Sequence, residues 1–363
     1  MASPEVYLLR SLSGHRLKTK IKVAFVSLCI FSSSFIASTQ TPPFQFLQKP
    51  GPYSVGLKIV DQYDRSRTYP ASVRDSSKFP KDHARPLQTL IWYPSLRSTI
   101  QPMTVGEYTQ LADTETHFDA PDEQNNKWRS RLKTSSEILL WAVRDANPAE
   151  GRYPILIYAP SDSSVSWENV DLCEYLASHG YVVLASPSMG VSTRDMTDDL
   201  EGINAQARDI SFLITYAGTL PDTDSSRIAV VSWSWGGISS LFAAARDTRV
   251  DALVSMDGSM RYYPGLVQKA GDVHPERMTI PLLFFTRGDL SLEALAKDDA
   301  PAANRIGPNV LNSWTGGDLF TVHMLGMSHP EFSSMFQRRK NEQGFTEDQV
   351  ADYGRSDTNT SHA

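Results

Sequence analysis

An α/β fold with a mostly parallel central sheet is what this sequence predicts, and three observations predict it. From residue 153 onward, short apolar runs alternate with longer helical stretches. The runs are continuously apolar, as in Pro154–Ala159 (PILIYA) and Arg227–Ser232 (RIAVVS), the pattern of strands covered on both faces. One run passes into an alanine-rich helix through a tight turn, Ser232-Trp233-Ser234-Trp235-Gly236-Gly237.

The elements follow in order. Residues 40–55 are rich in Pro and Gly and form an extended lead-in. Strands are predicted at Gly56–Val60 and Leu87–Trp92, with a polar, Pro-containing loop between them. After the strand at Pro154–Ala159, a helix over Glu168–His179 stops at Gly180, a residue suited to the left-handed cap conformation. Tyr181–Ala185 (YVVLA) is a strand and Gly202–Ala217 a helix. Arg227–Ser232 is a strand and Gly236–Arg246 a helix. Strands close the pattern at Val250–Met256, Pro281–Thr286 and Leu319–Leu325.

Two regions depart from this alternation. Within 94–152, Asn126–Ala146 has apolar residues at Trp128, Leu132, Ile138, Leu139, Trp141 and Val143. That is a partly amphipathic helical pattern, and 94–152 reads as a helical insertion into one domain spanning 40–340. Beyond Gln337 the residues are almost all polar. The end of the chain, 341–363, reads as a polar tail or as a chain that stops short of a final helix.

The N-terminus reads as a secretory signal over 1–39. Arg10, Arg16, Lys18, Lys20 and Lys22 precede an apolar stretch, Val23–Ala37, and small residues follow it. The apolar run is shorter than the roughly 18 residues of a spanning helix, so no stable membrane span is expected once it is removed. The protein is then secreted or periplasmic, or membrane-anchored where the segment is retained. Residues 1–39 hold five basic residues and one acidic one, so the remainder has 30 Lys+Arg against 40 Asp+Glu and a net charge of −10. Such a surface is a poor match for nucleic acid or anionic lipid. Of the two cysteines only Cys173 lies beyond residue 39, which excludes an internal disulfide and a paired-cysteine metal site.

The chemistry centres on Ser234. The turn between RIAVVS and the following helix has the form of a nucleophile elbow, usually written Gly-x-Ser-x-Gly, and points to the α/β-hydrolase fold. The nucleophile must occupy a strained turn, so the residues two positions away must be small. Ser232 stands where the first Gly is usual, and Gly236 supplies the second. A hydroxyl nucleophile needs a base, and the base needs an orienting acid, in chain order Ser, acid, His. Four histidines follow Ser234: His274, His323, His329 and His362. His329 lies in a loop off the last strand, where the base belongs. Two acids compete for the third role, Asp257 after the strand ending at Met256, and Asp289 after the next strand.

Several segments together carry a resemblance. They are Gly51-Pro52-Tyr53-Ser54-Val55-Gly56, Ile91-Trp92-Tyr93-Pro94, Ala177-Ser178-His179-Gly180-Tyr181-Val182-Val183, the elbow, Met256-Asp257-Gly258, and Ser328-His329 with Phe332. In these the chain resembles the platelet-activating factor acetylhydrolase family and its bacterial dienelactone-hydrolase-like relatives. The resemblance implies that the acid is Asp257, with Asp289 as the alternative. True dienelactone hydrolases use a Cys nucleophile, which this chain replaces with Ser234.

An oxyanion hole needs two preorganised backbone N–H groups. One is expected at Trp235. The other is expected in the loop after Pro154–Ala159, where aligning Pro160-Ser161 with the relatives' pair gives Asp162. The expectation is a serine ester hydrolase acting on a small-molecule ester, short-chain or lipid-like, through an acyl-enzyme and without metal or organic cofactor. Trp233 and Trp235 either narrow its acyl site or pack in the core, and Trp128, Trp141, Tyr262 and Tyr263 either wall a pocket or pack. Competing expectations are a non-catalytic binding protein on the same fold, and a peptidase or thioesterase.

Overall fold

The computed structural model describes residues 44, 46, 48–70, 83–116, 118, 131–133, 135–288 and 307–343. The expected signal segment, Trp128, Asp289 and His362 lie outside them. Among the described residues nine strands form one sheet in the order β3-β1-β2-β5-β4-β6-β7-β8-β9. These are β1 (Ser54–Tyr69), β2 (His83–Ser95), β3 (Ala142–Arg144), β4 (Tyr153–Ala159), β5 (Val182–Ala185), β6 (Thr223–Trp233), β7 (Ala252–Met256), β8 (Leu282–Arg287) and β9 (Leu319–Met324). β2 runs antiparallel to both β1 and β5, and every pairing from β5 through β4 to β9 is parallel. The expected strands are all present, the first two extended into a long hairpin. The sheet is mixed but mostly parallel, and the fold is that of the α/β-hydrolases.

Helices cover both faces: α1 (Val105–Leu111), α2 (Val170–Ser178), α3 (Leu200–Ala217), α4 (Trp235–Arg246), α5 (Pro264–Ala270), α6 (Val310–Ser313) and α7 (Ser334–Gln343). β4 shows how its apolar run serves two layers. Ile155, Ile157 and Ala159 join one core with Ile210 and Leu213 of α3 and Leu241 and Phe242 of α4. Leu156 and Tyr158 point the other way, into a core with Tyr108 of α1, Ala177 of α2 and Met335 of α7. Side chains alternate along a strand, so a sheet covered on both sides needs apolar residues at every position. Each fully buried Leu, Ile or Phe contributes about 1.5–3 kcal/mol. α2 ends as its sequence predicts, with Gly180 at φ 93° and the Gly180 and Tyr181 amides bonded back to Ala177 and Leu176 at 3.1 and 3.3 Å.

The order of β5, β4 and β6 places the site. The chain steps from β4 to one neighbour and then to the other, so the loops leaving the C-terminal ends of β4 and β6 diverge at a switch point. In open α/β sheets ligands bind there.

Two expectations are corrected. The helical pattern over Asn126–Ala146 does not give a helix at its C-terminal end: residues 135–141 form turns and an isolated bridge, and Ala142–Arg144 is β3, parallel to β1. Backbone pairing wins there, since the Met103 amide donates to Ala142 O at 2.8 Å and the Leu140 amide to Met103 O at 2.9 Å. The polar end of the chain also enters the structure further than its composition suggests, because α7 runs to Gln343. Arg338 is buried, donating two hydrogen bonds to the Asp171 carboxylate, one of them 2.8 Å long, and its guanidinium lies over the Phe44 ring.

Arg338→Met leaves Asp171 buried without its partner, and a loss of about 3–5 kcal/mol is expected. The double variant with Asp171→Leu is expected to recover most of it. Thermal denaturation of the two variants checks both outcomes.

Candidate active site

Ser234 caps the start of α4 with φ 54° and ψ −123°, a conformation that costs a non-glycine residue about 1–3 kcal/mol. Neighbouring backbone holds it there. Its amide donates to Met256 O of β7 at 3.2 Å, and its carbonyl accepts from the amides of Gly237 and Ser259 at 2.9 and 2.7 Å. A side chain at Gly236 would collide with the carbonyl oxygens of Ala159 and Pro160. The elbow therefore packs directly on the end of β4, which a Cβ would prevent. Ser232 fits where glycine is usual, and its hydroxyl donates to Val254 O at 3.0 Å.

The three residues singled out in the sequence come together. His329 Nε2 lies 2.8 Å from Ser234 Oγ, and His329 Nδ1 lies 2.5 Å from Asp257 Oδ2. Asp257 follows β7 with φ 45°, its side chain wholly buried and its amide bonded to Phe285 O at 2.8 Å. An ionised carboxylate only accepts hydrogen bonds, so Nδ1 carries the proton and Nε2 is free to accept from the Ser234 hydroxyl. His329 opens a short 3-10 turn, His329–Phe332. The amide of Ser328 before it donates to Glu331 Oε2 at 2.5 Å.

Burial pushes the Asp257 carboxyl up, but the hydrogen bond and charge of His329, the Tyr262 hydroxyl and the charge of Arg287 outweigh it. The net result is a carboxyl held below its ordinary range. Tyr262 donates a short hydrogen bond to Asp257 Oδ1. It sits at the end of the 3-10 turn Ser259–Arg261, five residues after the acid. The sequence suggests either a pocket wall or packing for Tyr262, because nothing in its neighbourhood marks a hydrogen-bond donor to Asp257.

The other candidates fall elsewhere. His274 pairs with Glu276 at 3.2 Å, and His323 is exposed on β9. Trp233 and Trp235 are both buried, which favours packing over an acyl-site wall. The Trp233 ring lies 5.1 Å from that of His329, and its Nε1 donates to His329 O at 3.2 Å. Trp235 packs edge-on to Tyr263. Burial pushes the Cys173 thiol well up, so it is no nucleophile. Trp235 supplies the first backbone N–H of α4, one of the four a helix leaves without an internal partner. Asp162 lies in the turn after β4, whose preceding carbonyls abut Gly236. Among the described residues no group of His, Cys, Asp and Glu side chains could hold a metal ion, and no helix is long and apolar enough to cross a membrane.

No family model and no curated protein matches the chain. Among solved structures, a ferulic acid esterase from Streptomyces cinnamoneus is similar at a TM-score of 0.57 and 20% identity, over 85% of this chain and 89% of that one. A dienelactone-hydrolase-like promiscuous phosphotriesterase from metagenomic libraries is similar at a TM-score of 0.41 and 13% identity, over 75% of this chain and 82% of that one. At 20% identity the likeness to the ferulic acid esterase concerns the fold alone.

Because the Asp257 carboxyl is held below its ordinary value, it contributes stability that is present above about pH 4, the ordinary carboxylate range, and is lost as pH falls below it. Tyr262→Phe removes one cause of the depression. The difference in Tm between pH 6 and pH 3 is therefore expected to be smaller in Tyr262→Phe than in the unmodified protein, as measured by thermal denaturation across that range.

Proposed function

We propose that this chain is a serine carboxylic ester hydrolase that works through an acyl-enzyme. One observation carries the reading: Ser234, on a strained turn at the switch point, is hydrogen-bonded to His329, which is hydrogen-bonded to the buried Asp257. As Ser234 Oγ attacks an ester carbonyl carbon, its proton moves to His329 Nε2. Asp257 keeps the imidazole in the correct tautomer and stabilises its charged form. The tetrahedral oxyanion accepts hydrogen bonds from the backbone N–H groups of Trp235 and Asp162, aided by the positive end of α4. The intermediate collapses as the Nε2 proton passes to the departing alkoxide, which leaves as the alcohol. Water, deprotonated by His329, then attacks the acyl-enzyme and releases the acid, restoring the Ser234 hydroxyl.

The substrate is a small-molecule ester, short-chain or lipid-like. That choice follows the resemblance to acetylhydrolases, and the fold shared with a ferulic acid esterase fits an ester substrate. The chain is exported, residues 1–39 acting as its signal.

The test is labelling by a fluorophosphonate together with turnover of p-nitrophenyl acetate, a longer acyl ester and a peptide amide. Covalent capture at Ser234 and hydrolysis of the acetate are expected. Ser234→Ala and His329→Ala are expected to lose about 10⁴-fold or more in kcat, and Asp257→Asn about 10⁴-fold. Retained turnover in Ser234→Ala would remove the assignment, and a preference for the amide would move it to a peptidase.

A further inference from the structure

Glu168 is wholly buried, and no step of the reaction above uses it. Its carboxylate accepts from the Tyr158 hydroxyl at 2.8 Å, from the Ser161 amide at 2.9 Å and, by a short hydrogen bond, from the Ser161 hydroxyl. These donors are neutral, and burial raises the carboxyl's pKa. Burying a carboxylate in this way is expensive. The residue joins two loops, one through its side chain and the other through its backbone. Its side chain holds Ser161 in the loop after β4. Its own carbonyl accepts from Ser333 Oγ at 3.0 Å and from the Met335 amide at 3.1 Å. The adjacent Asn169 donates to Phe332 O at 2.8 Å and accepts from the Ser334 amide at 2.9 Å. Phe332 ends the His329 turn, and the other residues directly follow it.

The Ser161 loop is fixed in direction as well as in place. The Ser161 carbonyl accepts a short hydrogen bond from Ser188 Oγ. In a trans peptide the N–H points opposite to the C=O, and no cis bond occurs among the described residues. Holding Ser161 O therefore aims the Asp162 N–H, while Glu168 fixes the preceding peptide through the Ser161 N–H. Gln206 Nε2 anchors Pro160 O at 2.8 Å. Every backbone polar group bordering the Asp162 peptide on its N-terminal side thus has a buried partner.

We infer that Glu168 is a positioning residue that holds the Asp162 N–H in line with the developing oxyanion and keeps the His329 turn in register with it. The inference rests on the ester-hydrolase reading. Glutamine at this position has one acceptor oxygen for three donors, so Glu168→Gln frees the Ser161 loop without changing its volume.

The experiment measures kcat and KM for p-nitrophenyl acetate per fluorophosphonate-titrated site, in the full chain, for Glu168→Gln, Ser161→Ala and the double variant. Glu168→Gln is expected to lose roughly ten- to a hundredfold in kcat with KM within about twofold, the signature of an interaction made in the transition state. Ser161→Ala is expected to lose less. The double variant is expected to match Glu168→Gln within about twofold, because both act through one contact. An unchanged kcat in Glu168→Gln, a loss confined to KM, or losses that multiply in the double variant would overturn the inference and leave the ester-hydrolase reading standing. If Glu168→Gln does not fold, Ser161→Ala decides alone, an unchanged kcat overturning the inference. An unmodified protein that is neither labelled nor active overturns the ester-hydrolase reading, and this inference with it.

Discussion

The backbone at Ser234 is held where an ordinary residue resists going, and much of the surrounding packing follows from that constraint. A φ of 54° turns the chain sharply from β6 into α4 and lifts the hydroxyl off the sheet. The strain is offset by hydrogen bonds at both ends of the residue, from β7 on one side and from Gly237 and Ser259 on the other. The same turn demands absent side chains. Gly236 lies against the end of β4, and a side chain at Gly258 would strike Ser255. The close approach that makes the turn possible also brings the loop after β4 beside the helix N-terminus. Geometry at the proposed nucleophile and geometry at the proposed oxyanion donors are therefore one packing problem.

Buried carboxylates are the second organising feature, and each is satisfied differently. Asp171 has a guanidinium, and Asp209 is clasped by Arg85 and Arg67. Glu174 has neutral donors, among them the Tyr108 hydroxyl and the Trp141 amide, and burial pushes its carboxyl up to about 8. Asp257 is the case where hydrogen bonds and nearby charge prevail over burial. That difference matters chemically, since an acid meant to stabilise a charged imidazole must itself stay ionised. The Tyr262 hydroxyl holds Oδ1 of Asp257 and leaves Oδ2 to His329.

How far this was legible in the sequence depends on whether the information was local. Continuous apolar runs marked β4 to β8 because a doubly covered strand has no polar face to disguise it. The elbow was legible because few residues tolerate that turn, and His329 because it follows the last strand. The choice of Asp257 over Asp289 needed the resemblance, since each follows a strand and neither sits in a distinguishing pattern. Where contacts are long-range the sequence was silent. Arg338 reads as a solvated residue in a polar tail, and only its meeting with Asp171, 167 positions earlier, makes it a core residue. Trp141 and Val143 fit a helical period, yet the free edge of β1 and the Met103 backbone recruit that segment as a strand. Glu168 reads as an ordinary first-turn acid of a helix, and its partners lie in two separate loops.

The way the proposed base is held follows from these long-range contacts. His329 is delivered from a loop beyond β9, an edge strand on which Phe320 and Val322 are exposed. Among the described residues little packs on that strand, so contacts elsewhere contribute to fixing the side chain. The order comes from the other side of the turn. Trp233, adjacent to the nucleophile, stacks beside the His329 ring and binds its carbonyl. Phe332, Ser333 and Ser334 are pinned to Glu168 and Asn169, and α7 is then locked by Arg338 onto Asp171 of α2. The imidazole is thus referenced to β6 and α2 as well as to the preceding loop, where the Met327 amide donates to Met324 O at 3.0 Å and its carbonyl accepts from the Gly288 amide at 2.9 Å. Contacts spread over several elements constrain the ring more tightly than an exposed strand end can, because local opening concentrates at such ends.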